Sequence, residues 1–94
     1  MVRIKINLYG VLRRISGEKT VDTDIEIPDL KTAVEKLVDK YGSELADRIY
    51  DENGHVRRFI NMYVNGRDIR FLSNLSTLLE DGDTISIIPA VGGG

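Results

Sequence analysis

Period-two alternation of apolar and polar residues, interrupted by one long stretch of helical periodicity, constrains the fold of this chain more than any other feature. From Val2 to Tyr9, Val2, Ile4, Ile6 and Leu8 fall on one side and Arg3, Lys5, Asn7 and Tyr9 on the other, which predicts a half-buried strand. A short apolar-basic turn or helix, Val11-Leu12-Arg13-Arg14-Ile15, closes at Ser16-Gly17 and leads to a second alternating run of Val21, Thr23, Ile25 and Ile27. In that run Asp22, Asp24 and Glu26 face water, and Pro28 ends the strand. Asp29 is placed as the N-cap of a helix from Leu30 to Tyr41, since Leu30, Ala33, Val34, Leu37, Val38 and Tyr41 recur at spacings of three and four. Gly42 stops it, and Ser43 to Tyr50 reads as a second short helix followed by the turn Asp51-Glu52-Asn53-Gly54. Phe59 to Val64 alternates again, with Ile60, Met62 and Val64 inward, and reaches the hairpin signal Asn65-Gly66 and a short strand near Asp68 to Phe71. A turn at Glu80-Asp81-Gly82-Asp83 precedes a final strand from Thr84 to Pro89.

The order strand, strand, helix, strand, short strand, strand predicts an α+β domain: a mixed sheet of four to five strands with one main helix on one face, a β-grasp of the ubiquitin-like kind. With the first and last strands parallel at the sheet centre, residues 1–89 form the domain and residues 90–94 leave it as a flexible tail. At 3.3–3.6 Å per residue those five residues reach about 17 Å.

Composition excludes several functions. The chain has 94 residues, enough for one core but not two. Thirteen basic residues against fifteen acidic ones give a net charge of −2, with the basic residues scattered along the sequence, so nucleic-acid binding is not expected. Apolar runs are short and broken by charge, and no signal-peptide core opens the chain, so neither membrane insertion nor secretion is indicated and a cytoplasmic protein is expected. There is no cysteine, hence no disulfide, side-chain thiolate or Cys-based zinc site.

Enzyme machinery is not visible. His55 is the only histidine and sits in a polar turn, with no Cys or second His to complete a dyad or metal cluster, so no metal is expected. The pairs Asp22/Asp24 and Asp81/Asp83 lie on a solvated face and in a turn, and Gly66 and Gly82 belong to turns rather than to a phosphate cradle. The informative feature is Val91-Gly92-Gly93-Gly94, directly after a core strand. Glycines free the neighbourhood of the Gly94 carboxylate of side chains, so the segment can thread a narrow channel where a Cβ would clash. The carboxylate then becomes the reactive group. It needs activation, which adenylation by ATP provides, after which a sulfur or amine nucleophile displaces AMP. The chain is substrate and carrier in such a step, not catalytic alone. Alternation also turns Tyr9, Tyr63 and Ile88 outward, and with the last strand between the first and third these three are expected side by side, an apolar docking patch next to the tail. Partial cover by the Arg13/Arg14 turn is the alternative for that patch.

Phe59 through Gly94 resembles the MoaD family, in Val64-Asn65-Gly66, Asp68-Ile69-Arg70-Phe71-Leu72, Leu79-Glu80-Asp81-Gly82-Asp83 and Ile87-Ile88-Pro89-Ala90-Val91-Gly92-Gly93-Gly94. The first strand and the turn from Gly10 to Gly17 are similar too. MoaD is the small subunit of molybdopterin synthase, related to the thiamine sulfur carrier ThiS and to the small archaeal ubiquitin-like modifiers. The resemblance implies that a MoeB-like, ubiquitin-activating-type adenylyltransferase adenylates Gly94 and that the terminus becomes a thiocarboxylate, with Gly93 fitting the channel. It implies further that the tail enters a MoaE-like large subunit and gives sulfur to the pterin precursor, and that Tyr9 and Ile88 match docking positions. Tyr63, Val91 and Gly92 complete the expected contact set. No bound cofactor is expected, ATP being used by the activating enzyme. Glycine at position 92 departs from the family pattern, and the insert from Ser43 to Arg58 is longer than ThiS carries, which argues against the thiamine branch. Two other readings stand beside it: a modifier joined through Gly94 to lysines of target proteins, and a simple binding module using the Tyr9/Tyr63/Ile88 face.

Overall fold

The computed structural model describes residues 1–90. Alternation at the N-terminus becomes β1 (Val2–Leu8), whose Ile4, Ile6 and Leu8 are buried. Gly10, at φ +56, lets the chain turn sharply into α1 (Gly10–Ser16), and Leu12 anchors that helix in the core. β2 (Thr20–Ile25) returns antiparallel to β1, then α2 (Leu30–Tyr41) and α3 (Ser43–Ile49) cross one face of the sheet. β3 (Ile60–Val64), β4 (Arg67–Asp68) and β5 (Thr84–Pro89) complete a five-stranded sheet in the order β2-β1-β5-β3-β4. β5 runs parallel to β1 and antiparallel to β3, so the last strand is central, as a β-grasp requires.

Helix α2 forms where its local signals stand. The Asp29 carboxylate accepts the Thr32 N–H at 2.8 Å, and Gly42 (φ +88) ends the helix. Its face of Leu30, Ala33, Val34 and Leu37 is buried against the inner residues of the strands. The segment expected as an insert is integral to this core, because Leu45 and Ile49 of α3 are fully buried. Asn65 and Gly66, at φ +51 and +85, make the two-residue hairpin turn between β3 and β4.

Two expectations need correction. β2 ends at Ile25, which pairs with Val2 at the start of β1, so the partner strand is exhausted before Pro28. Ile27 therefore lies outside the sheet and is 61% exposed. The strand expected near Asp68 to Phe71 is only Arg67–Asp68; the Asp68 carboxylate accepts the Arg70 N–H and closes Ile69–Phe71 into a 3-10 turn.

Candidate functional site

Strand β5 fixes the position of the last described residues, Pro89 and Ala90. Ile85 and Ile87 are fully buried between β1 and β3, so the strand is held from both sides. The register runs Leu8 opposite Ile87 and Ile60 opposite Pro89, and Ala90 donates its N–H to the Phe59 carbonyl at 2.7 Å. Pairing thus continues one residue into the segment assigned to the tail. Pro89 lacks an N–H, and it occupies a place beyond the last β1–β5 pair where no donor is needed. Against its ring lies Gly10, where a Cβ would come within 3.1 Å of the Pro89 Cγ. The sequence reading did not identify this contact; its signal was a lone glycine between the first strand and a helix. Val91, Gly92, Gly93 and Gly94, four of the expected site residues, lie outside the described residues.

The outer face of the sheet carries the expected docking residues in a different arrangement from the one read out of alternation. Tyr9, Tyr63 and Ile88 do fall on the face away from α2 and α3, but register separates them. Tyr63 stands opposite Ser86, and Ser86 opposite Asn7, forming one row. Ile88 stands opposite Asn61, one pleat repeat nearer the tail, and Tyr9 follows the last β1 residue on the same row as Ile88. The row nearest Ala90 is therefore Tyr9, Ile88 and Asn61, with Tyr63 diagonal to Ile88. Alternation assigns faces but carries no register, and the misplacement of Tyr63 comes from that. Asn61, not singled out from the sequence, accepts a hydrogen bond from Arg70 Nη2 at 3.2 Å. The Arg13 guanidinium lies 5.6 Å from the Tyr9 ring centroid and its Nε donates to the Leu8 carbonyl, so part of Tyr9 is covered while 36% remains exposed.

Polar groups elsewhere are tied into the fold. Asp24 pairs with Arg3, the Asp81 carboxylate accepts the Arg3 N–H at 2.7 Å, and Asp83 accepts from Asn65 and from the Glu80 N–H. The carboxyl of Asp51 is held below its ordinary range first by the His55 N–H, and that of Asp68 first by the Arg70 side chain. His55 is exposed in its turn. Among the described residues no group of three His, Cys, Asp or Glu is placed to hold a metal ion. No helix among them is long and apolar enough to cross a membrane.

Comparison with known proteins places this geometry. The model of the ThiS family matches residues 6–94. The sulfur carrier protein CysO of Mycobacterium tuberculosis is 33% identical over 96 residues, covering 99% of this chain and 100% of its own. The molybdopterin synthase sulfur carrier subunit of the same organism is 32% identical over 97 residues, covering 100% of both. The solution structure of small archaeal modifier protein 1 from Methanosarcina acetivorans superposes with a TM-score of 0.88 at 31% identity, over 100% of this chain and 98% of that one.

Proposed function

Because this chain belongs to the ThiS family of ubiquitin-like sulfur carriers, we propose that its Gly94 carboxylate is adenylated, converted to a thiocarboxylate and used to donate sulfur in molybdopterin biosynthesis. The observation that carries the reading is the end of the central strand β5 at Pro89, with Ala90 hydrogen-bonded to Phe59 and with Val91 and three glycines next in the sequence. Four residues span at most about 14 Å, enough to carry a carboxylate into another protein's active site while the domain stays outside.

In the proposed chemistry the Gly94 carboxylate oxygen attacks the α-phosphorus of ATP and pyrophosphate leaves. Hydrosulfide sulfur, delivered by a donor, then adds to the acyl carbon; the bond to the AMP oxygen breaks and AMP departs with the electron pair. A MoeB-like adenylyltransferase supplies the first site and a MoaE-like large subunit the acceptor site. This chain contributes the carboxylate, a tail without side chains at Gly92, Gly93 and Gly94, and the Tyr9/Ile88/Asn61 row flanked by Tyr63 as its docking face. Its own side chains supply no acid, base or nucleophile to the reaction.

Intact mass after incubation with ATP, the activating enzyme and sulfide tests this directly. A gain of roughly 16 Da, from sulfur replacing one carboxylate oxygen after acyl activation, is expected. No gain with an enzyme active on another carrier refutes it. The full-length likeness to an archaeal modifier protein favours a second reading, conjugation through Gly94 to target-protein lysines. Immunoblots of cell lysates separate the two: conjugation gives heavier, thiol-resistant bands that vanish when Gly93 and Gly94 are deleted.

A further inference from the structure

On a chain of net negative charge, the last described residue, Ala90, is flanked by arginines from both sides of the sheet. On the β1 side, Gly10 of α1 abuts Pro89, and Arg14 lies four residues on, hence on the same helical face and one turn farther from the ring. On the β3 side, Phe59 accepts the Ala90 N–H, and Arg57 and Arg58 directly precede it. Arg14 and Arg58 are exposed, while the Arg57 guanidinium is fixed by its Nε donating to the Asp47 carbonyl at 2.8 Å. Among the described residues none of the three makes an ion pair, whereas Arg3 and Arg70 do. Arg13 is otherwise engaged, on Leu8 and Tyr9. The opposite end of the sheet, where β5 begins and β2 ends, carries Glu26, Glu80, Asp81 and Asp83. Arg3 at that end is paired with Asp24, and near Ala90 Arg57 faces the Asp51 carboxylate, so among the described residues Arg14 and Arg58 are the exposed arginines without a carboxylate partner on either side of Ala90.

We propose that Arg14, Arg57 and Arg58 form a steering rim for a partner protein whose tail-receiving channel has an acidic mouth. The inference rests on the reading of Gly94 as the reacting terminus. From Ala90 to Gly94 the chain spans at most about 14 Å, so any protein that closes over Gly94 presses the mouth of its channel against the residues around Ala90. Nucleotide phosphates bound deep in such a channel lie at the far end of that reach, beside Gly94, and the rim meets the protein wall instead. Arg14 and Arg58, which have no carboxylate partner among the described residues, favour carboxylates there, and rim charges of this kind act on encounter rate and salt dependence more than on bound chemistry.

The test uses the full chain and the same organism's ubiquitin-activating-type adenylyltransferase. Binding without ATP is measured by calorimetry at low salt and at about 0.3 M, where the screening length is shorter. Compared with wild type are Arg14→Glu/Arg58→Glu, the milder Arg14→Gln/Arg58→Gln, and Arg67→Glu, an exposed arginine at the acidic end. The reversal is expected to weaken binding about tenfold or more at low salt, with the deficit shrinking as salt rises, the Gln pair falling between and Arg67→Glu staying within about twofold. Equal affinities and equal salt dependence for the Arg14/Arg58 variants and Arg67→Glu overturn the proposal, as does wild-type binding to a single-stranded RNA in preference to the enzyme. Adenylation is followed separately: a wild type that binds through the rim but gains no adenylate refutes the carrier reading and leaves the rim standing.

Discussion

Replacing Gly10 by alanine tests whether the root of the tail is held as the structure describes. Gly10 adopts φ +56, a left-handed conformation that costs an L-residue about 1–2 kcal/mol. An alanine Cβ would also meet the Pro89 Cγ at 3.1 Å, closer than the optimal 3.5–4.0 Å carbon separation, so Pro89 must shift by a few tenths of an ångström. Alanine narrows the unfolded ensemble and recovers about 0.4–1 kcal/mol, leaving a net loss of about 1–2 kcal/mol once the tight contact is included. For a domain of this size that lowers Tm by about 4–12 °C. Urea titration of four proteins, wild type, Gly10→Ala, Pro89→Ala and the double variant, resolves the parts. Pro89→Ala removes the Cγ, so Gly10→Ala in that background should cost only the backbone share, with a coupling of about 0.5–1 kcal/mol between the two sites. Additive effects would show that Gly10 and Pro89 do not touch. A Gly10→Ala change below about 0.3 kcal/mol in both backgrounds would refute the left-handed turn as well.

Asp29→Ala should destabilise the domain by about 1 kcal/mol through loss of the α2 N-cap, measured by urea denaturation at pH 7. Hydrogen bonding from Thr32 lowers the Asp29 pKa in the fold, so the stabilisation is present above the unfolded carboxyl value and lost as pH falls through the folded one; the gap between wild type and Asp29→Ala should close below about pH 4. Leu45→Ala should cost about 2–5 kcal/mol by opening a cavity, whereas a dispensable insert would tolerate it with no change in Tm. Deleting Gly93 and Gly94 should abolish thiocarboxylate formation in the intact-mass assay and leave the melting curve unchanged. Ile88→Asp should impair binding to the activating enzyme about tenfold or more at retained stability, since an apolar contact at the centre of a docking face would be replaced by a desolvated charge; unchanged affinity would remove this face from the interface.

Legibility followed the range of the signals. Helix α2 was readable to its last residue because Asp29, Gly42 and the spacing of Leu30, Ala33, Val34 and Leu37 are local. The central, parallel placement of β5 was readable because few arrangements bury such strands under one helix. Ile27 was assigned to β2 because alternation reports which face a residue takes and is blind to where the partner strand ends. The row of Tyr9, Ile88 and Asn61 depends on register between strands more than 20 residues apart, and no local pattern in β3 or β5 encodes it. The contact of Gly10 with Pro89 is hidden for the same reason: its two halves are 79 positions apart in sequence and meet only because β1 and β5 are neighbours.

On the proposed reading of Gly94, a carboxylate made reactive at one end of a small protein places two demands on the rest of it. The body must offer no competing nucleophile near the activated acyl group; the absence of cysteine removes the side chain that reacts fastest with one. The body must also hold the root of the reacting segment still, because movement there is passed on to everything beyond it. Ile85 and Ile87, each fully buried, and the Ala90 to Phe59 hydrogen bond anchor that root in the central strand of the sheet. Loosening this anchor should therefore impair transfer even where the glycines are intact. Ile87→Ala, expected to cost about 2–4 kcal/mol, tests the point at a temperature well below its Tm: a slower adenylation rate at saturating carrier supports anchoring, and a wild-type rate shows that the partner alone positions the tail.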